Sequence, residues 1–492
     1  MRVTFVTIGA ESLGIEYLSA TLKKANNKVK LVFDPGLFDD KYYFHIPSLG
    51  KIFNQRKKTI KKIIDSKPDL ICFSVMTDTY RWGIEVAREV KKRINTSIIF
   101  GGIHPTLVPE EVIKNDCIDI VALGECEEAL IELCDKLTKK QEIKDIKNFW
   151  IKENNKIYKN ELRPINMDLD NIPFPDKELF KDEIRIKDCY MIQTSRGCPF
   201  RCSYCSNAFL LDLYKKKGSY LRRRSVNNVI EELKIAKTKF NPKIISFMDD
   251  VFTSDKEWLN EFLEKYVKYI NLQFRAISHP LYLDEEIAIK LKKAGCYRIE
   301  LGVQSTDEIC RRNILKRGEK NEHLIRAFKA CEKAKLSLMV DHIFGLPGET
   351  EEQLKNDVLF YNNFKIDRIA CFWLEYFPKT EIINISKNMG LIDDNRIENI
   401  NLANEKMYHD GGSVEKKHTI IVKNYDFLFK LLPLLSKKRI KKIINKGSYK
   451  KYYKFPFIIP ILLEVIVAFK NKDYETINYI KHYLHHIKKG LL

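Results

Sequence analysis

TSRGCPFRCSYCSN, residues 194–207, sets Cys198, Cys202 and Cys205 in C-x3-C-x2-C spacing, which can bring three thiols to one face of a loop. Structural zinc takes four ligands, commonly as two separated C-x2-C pairs, and no second pair lies nearby. Three thiolates on a 4Fe-4S cluster leave one iron without a protein ligand, whereas electron-transfer clusters usually take four cysteines. The open iron is a place for a substrate or cofactor to bind. The other nine of the twelve cysteines share no close spacing with these three and read as small buried hydrophobes or isolated thiols.

The motif closes the run YMIQTS (190–195), the first of a β-branched series continued by KIISFMD (243–249), LQFRAIS (272–278), YRIELGV (297–303), LSLMVDHIFG (336–345) and DRIACFWLEYF (367–377). Helical patterns lie between them, near 226–238, 255–268, 284–293, 320–334 and 350–364. Six such repeats predict a partial (βα)6 barrel whose chemistry sits at the carboxyl ends of its strands. Upstream, VTFVTI (3–8), VKLVF (29–33), DLICFSV (69–75), SIIFGG (97–102) and DIVAL (119–123) alternate with helical patterns, which predicts a Rossmann-like, doubly wound parallel sheet. Ligands of such sheets bind beyond the strand ends. Here those ends read Gly9-Ala10-Glu11, Ser74-Val75-Met76-Thr77 and Gly101-Gly102-Ile103-His104-Pro105. Small residues there admit a ligand to the backbone, and they equally suit ordinary turns.

Between the two series the chain turns polar and contains NIPFPD (171–176), the composition of a linker wrapped over a neighbour. The expected organisation is therefore a sheet domain over 1–140, a linker over 141–184, a barrel over 185–400 and a mainly helical region over 401–492. A length of 492 residues fits about three domains. A composition 45% hydrophobic and 31% charged excludes a disordered chain. The start MRVTFVTIGAESLG lacks a basic stretch followed by an apolar core, and no run reaches the apolar length of a membrane span, so a cytoplasmic protein is expected.

The net charge of +20 is not spread evenly: residues 415–492 hold 18 Lys and Arg against 5 Asp and Glu. In that region KYYKFPFIIPILLEVIVAFKNK, interrupted by Pro456, Pro460 and Glu464, reads first as a buried helix. With the basic run KKRIKKIINK (437–446) it also suits peripheral contact with an anionic membrane or a cover over a greasy substrate. No recognisable RNA-binding module accompanies the charge, so nucleic acid is not an expected partner.

From about residue 185 to 380 the sequence resembles the radical S-adenosylmethionine (SAM) superfamily. The resemblance implies that Cys198, Cys202 and Cys205 bind the 4Fe-4S cluster, that SAM chelates the open iron, and that Tyr204 flanks the adenine. It also implies SAM contacts from Asp249 or Asp250 (amino group), from Glu300, Gln304 and Ser305 (ribose and methionine) and from the turn at Gly345 (adenine side). Arg275 is matched to the SAM carboxylate, with an internal salt bridge as its equal alternative, and Glu349 to the cap of the next helix. Domain order resembles the cobalamin-binding radical SAM class, which implies Ser74, Thr77, Gly101 and Gly102 as cobalamin contacts. The axial-histidine motif D-x-H-x-x-G is absent, with Gly9 and Glu11 at its Asp and His positions.

The resemblance implies an enzyme that cleaves SAM with an external one-electron reductant and, with cobalamin, methylates an unactivated carbon or phosphorus of a small-molecule or lipid-like substrate. A cyclase or oxidoreductase like the anaerobic porphyrin-ester cyclases is the alternative, and a non-catalytic cluster-bearing binding protein the second. Methylthiotransferase chemistry fits less well, because Cys72, Cys117, Cys126 and Cys134 do not supply a second cluster motif.

Overall fold

The computed structural model describes residues 1–39, 45–154, 156–405, 416–456 and 458–491. Part of the expected 401–492 region, residues 406–415, Phe457 and Leu492, lies outside the described residues.

The first domain is built on β1 (Arg2–Ile8), β2 (Lys28–Asp34), β3 (Leu70–Ser74), β4 (Ser97–Gly101) and β5 (Ile120–Ala122), parallel in the order 2-1-3-4-5. The runs of β3, β4 and β5 are apolar nearly throughout because helices cover both faces, whereas the edge strand β2 exposes Lys28 and Lys30. The first helix, Leu13–Lys24, starts where the Ser12 side chain accepts from Ile15 N and ends on Lys23 and Lys24, which complement its dipole. In this order the winding reverses between β1 and β3, which opens a crevice beyond their carboxyl ends.

The expected linker needs a correction. Residues Phe149–Glu153 (β6) and Lys156–Lys159 (β7) form an antiparallel hairpin on β5, so the sheet has seven strands and is mixed, and the first part of 141–184 belongs to it. The lysines of the outermost strand suit an exposed edge. The remainder packs on the first domain. Asp176 accepts from Ser19 Oγ at 2.6 Å and pairs with Lys23 at 2.5 Å, and the buried Lys177 lies 2.7 Å from both Glu11 and Glu16.

The second domain follows the predicted series closely. It comprises β8 (Tyr190–Ile192), a short antiparallel pair β9 (Ser195–Arg196) and β10 (Arg222–Arg223), then β11 (Ile244–Phe247), β12 (Gln273–Ser278), β13 (Cys296–Gln304), β14 (Ser337–Phe344) and β15 (Arg368–Trp373). Six of these form a parallel sheet in the order 15-14-13-12-11-8, open between its two edge strands: a partial barrel. Phe247 packs on Phe252, Phe262 and Phe274 with ring centroids 4.6, 5.4 and 5.4 Å away. An aromatic anchor so placed is worth about 3–5 kcal/mol relative to alanine.

The C-terminal region is helical over Lys416–Leu431, Lys437–Lys446, Ile458–Lys470 and Tyr474–Leu491. It is also the floor of the partial barrel. Asp473 pairs with Arg298 (2.7 Å) and Arg368 near the starts of β13 and β15, and Glu475 reaches Arg275 at 2.6 Å. The last helix touches the first domain as well: Phe38 N donates to Tyr483 Oη at 2.7 Å. The expectation of a buried helix over the apolar stretch is corrected, since only Val467 and Ala468 in Ile458–Lys470 are fully buried. One face packs on the helices 416–431 and 474–491, and a helix apolar all round then presents its other face outward.

Candidate active site

The three cysteines follow β8 in a loop fixed from both sides. Gly197 has φ +90°, and a Cβ there would lie 2.4 Å from Tyr220 O, so the crossing over the neighbouring strand requires glycine. Downstream, Ser203 N donates to Leu315 O at 3.0 Å and Ser203 Oγ to Ile314 O at 2.5 Å. Cys202 is buried, while Cys198 and Cys205 are partly exposed. Burial pushes the Cys198 thiol up to about 12 and the Cys205 thiol up to about 11, and Asp250 and the neighbouring thiols add to it. Thiols so raised give up their protons to a bound cationic centre. Among the described residues no three His, Cys, Asp or Glu side chains are placed to share one metal ion. A four-iron cluster asks instead for thiolates spread around a cube, and the all-sulfur donor set fits that group.

Against this loop stands a cation that the sequence did not single out. Arg317, buried, lies with Nη1 3.2 Å from Tyr204 Oη and 3.8 Å from Cys202 Sγ, and its Nη2 donates to Gly302 O at 2.7 Å. Its Nε donates to Glu319 at 2.5 Å. Although burial opposes it, His279 and Arg317 hold the Glu319 carboxyl down to about 2, so the guanidinium has a fixed counter-charge. The cue in sequence was faint: an Arg-Gly pair in a loop between two helices, with no periodicity to mark it as buried.

Of the expected SAM contacts, Asp249 is wholly buried and accepts from Thr194 N (3.1 Å), Thr194 Oγ1 (2.7 Å) and Ser195 Oγ, a latch on the strand that feeds the loop. Asp250 faces a cavity beside Asn207, and burial raises its carboxyl above the ordinary range. Neither caps the following helix, whose cap is Asp255. Arg275 is committed internally, to Glu300 (2.5 Å), Glu475 (2.6 Å) and Ser246 Oγ (2.8 Å). Its ion pairs are the salt-bridge alternative, and they occupy Glu300 as well. Gln304 ends β13 at φ +69° with Oε1 buried and without a hydrogen-bond partner. Ser305 Oγ accepts from Asp307 N at 3.2 Å. Gly345, at φ +76°, donates its N–H to Glu349 at 2.8 Å. Glu349 therefore closes that turn rather than capping the next helix, which Thr350 caps.

One cavity of about 380 Å³ joins the two domains. On the first-domain side it is lined by Ser74, Gly101, Gly102 and Gly124, and on the barrel side by Gly197, Asn207, Tyr220 and Asp250. Gly102 has φ +102°, and a Cβ would meet Val75 O at 2.5 Å, so this strand end requires glycine. Thr77 does not line the cavity; its hydroxyl lies 3.2 Å from Nδ1 of the buried His104. The seam is held by ion pairs: Glu125 engages Arg196 (2.8 Å) and Arg222, and Glu127 engages Arg196 (2.7 Å).

Comparison with known proteins agrees with this layout. The radical SAM superfamily signature matches residues 192–361 and the B12 binding domain signature residues 6–134. The uncharacterized methyltransferase PH0819 of Pyrococcus horikoshii is 30% identical over 377 residues, covering 75% of this chain and 77% of its own. An anaerobic magnesium-protoporphyrin IX monomethyl ester cyclase of Rubrivivax gelatinosus is 24% identical over 338 residues, covering 65% of this chain and 58% of its own. Among solved structures, the cobalamin-dependent S-adenosylmethionine radical enzyme OxsB, with aqua-cobalamin and S-adenosylmethionine bound, shares the fold at a TM-score of 0.68 and 16% identity, covering 100% of this chain and 79% of that one.

Proposed function

The chain belongs to the radical SAM superfamily, in the group that carries a B12-binding domain ahead of the barrel, and from that premise we propose that it methylates an unactivated carbon or phosphorus centre of a small or lipid-like molecule. The carrying observation is the cavity that runs from the strand ends of the first sheet to the flanks of the cysteine loop. Its lining, strand-end glycines on one side and the flanks of the cysteine loop on the other, supports a reading in which the two cofactors meet there. When bound, those groups supply one-electron cleavage of SAM and a methyl carrier; an external reductant supplies the electron.

The residues divide the remaining work. Cys198, Cys202 and Cys205 hold the cluster. Tyr204, fixed by Arg317, and the turn at Gly345 flank the adenine. Gln304, Ser305 and Asp250 offer polar groups to the rest of SAM, and Arg317, beside Tyr204 and Cys202, offers a buried cation for its carboxylate. Arg275 and Glu300 act from beneath, as a charge pair that stiffens the strands carrying these groups. Ser74, Gly101 and Gly102 line the cobalamin side, and Thr77 supports it through His104.

The test is anaerobic purification followed by assay with a strong reductant. Expected are corrinoid and iron–sulfur absorption bands together, S-adenosylhomocysteine and 5′-deoxyadenosine as products, and no deoxyadenosine from Cys198→Ala. Deoxyadenosine without S-adenosylhomocysteine supports the cyclase reading, which the Rubrivivax relative favours. Equal SAM cleavage by wild type and Cys198→Ala, or none by either, overturns the assignment.

A further inference from the structure

The helix Ile458–Lys470 carries an apolar stripe that the active site does not use. Ile458, Leu462, Ile466 and Phe469 are 43%, 51%, 52% and 61% exposed. Their spacing puts them on one side of the helix, within roughly a quarter-turn of arc. Tyr453 and Phe455, just before the helix, are exposed too. Exposed lysines bracket the stripe, Lys451 and Lys454 at one end and Lys470 and Lys472 at the other. The one acid of the helix, Glu464, is turned inward, 3.5 Å from Arg368 and 3.7 Å from Lys430, so the outer face carries no negative charge.

We propose that this face lays the protein on an anionic lipid surface, with the stripe entering the headgroup boundary and the lysines meeting lipid phosphates. No single described helix is long and apolar enough to cross a membrane, and this helix is bent by 112° from the preceding segment Ser448–Lys454. A second copy of the chain is the poorer occupant, because self-pairing brings the lysines at the stripe's ends into like-charge contact.

The experiment is cosedimentation of the full chain with vesicles of phosphatidylcholine alone or mixed with phosphatidylglycerol. Expected is binding to the mixed vesicles that weakens with salt, falls about tenfold or more in Leu462→Ser/Ile466→Ser, and loses its preference for anionic lipid in Lys451→Gln/Lys454→Gln/Lys472→Gln. Unchanged melting temperatures show that the variants fold; should the serine variant unfold, the lysine variant still decides. Binding to neither vesicle, or equally to both, overturns the proposal. So does lipid-independent dimerisation of the wild type that the serine substitutions abolish, which assigns the face to a second copy.

Discussion

The partial barrel has two mouths, and both hold a buried ion pair, Arg317–Glu319 at the rim and Asp473 with Arg298 and Arg368 at the floor, but the rim adds polar groups that the chain leaves unpaired or facing a cavity. At the floor, where β13 and β15 begin, the C-terminal region delivers Asp473 between Arg298 and Arg368 and Thr476 Oγ1 onto Arg368. Although burial opposes it, Arg368 and Arg298 hold the Asp473 carboxyl down to about 2. At the rim, Asp250 faces a cavity with Asn207 as its neutral neighbour and is raised, Gln304 Oε1 has no partner, and two of the three thiols are raised to about 11 and 12. The difference teaches how to tell scaffold from site in this molecule. Charges paired within the chain hold it together; at the rim Gln304 Oε1 is a buried polar atom without a partner, a place where a ligand would add one.

Removing the floor's carboxylate tests that division most severely. Asp473→Ala removes the carboxylate partner of the buried Arg298 and leaves Arg368 with Glu464 at 3.5 Å, and loss of one partner of a buried ion pair costs about 3–5 kcal/mol. Chemical denaturation is expected to show that loss, with SAM cleavage per intact cluster unchanged wherever the variant is folded. The pH dependence has a definite sign. A carboxyl depressed from 3.8 to about 2 contributes stability that is present above its unfolded value and lost as pH falls through about 2. Asp473→Asn is expected to flatten the stability profile in that acidic window. Wild-type stability in the alanine variant breaks the claim that the floor is held by charge pairing.

The rim predicts the reverse pattern. Gln304→Ala keeps a Cβ, and with it the positive-φ strain at this position, while deleting a buried carbonyl oxygen that has no partner. Stability is expected to stay level or rise slightly, because an unsatisfied buried polar group is removed. If ligand completes that oxygen, the KM for SAM rises about tenfold, the worth of one hydrogen bond to a charged group. Lost stability with an unchanged KM breaks the assignment and makes Gln304 scaffold.

The rim was more legible in sequence than the floor, for a physical reason. Its cysteines and glycines are adjacent in the chain and chemically unusual, so TSRGCPFRCSYCSN and HIFGLPGET stand out without knowledge of the fold. The strands and long helices of both βα series were legible from their periodicity, though YMIQTS and DRIACFWLEYF overran their strands by three and four residues at the carboxyl end. The floor joins residues over a hundred positions apart, such as Arg368 and Asp473, and ordinary charged residues carry no mark of whom they will meet. Arg317 was missed for the same reason. The β6–β7 hairpin was missed because its lysine-rich edge strand, KIYK, has the composition of a linker even though FWIKE and KIYK alternate as strands do. The half-exposed face of Ile458–Lys470 was hidden because an all-apolar helix does not say how many of its sides will find neighbours.

The linker's own seam against the first domain sharpens the comparison, because it combines a feature of each mouth. Glu16 has a cationic partner, as floor carboxylates do: Lys177 Nζ lies 2.7 Å away. Yet its carboxyl is raised to about 9, as at the rim, first by burial and then by Glu11, which competes for the same ammonium. One cation between two buried carboxylates neutralises one of them. Glu16 is then protonated in the folded protein at neutral pH, and the neutral isostere Glu16→Gln, which escapes the cost of that proton uptake between 4.5 and 7, is expected to be more stable than wild type at pH 7, by at most about 3 kcal/mol. The sign at higher pH follows from the raised value. The folded state binds the extra proton between the ordinary carboxyl value of 4.5 and about 9, so stability falls as pH rises through that window, by at most about 1.4 kcal/mol per pH unit. Thermal melts at pH 7 and pH 9 are therefore expected to drop more for wild type than for Glu16→Gln. If the glutamine variant is already destabilised by several kcal/mol at pH 7, Glu16 is ionised in its pair with Lys177, and the seam obeys the floor's rule rather than the rim's.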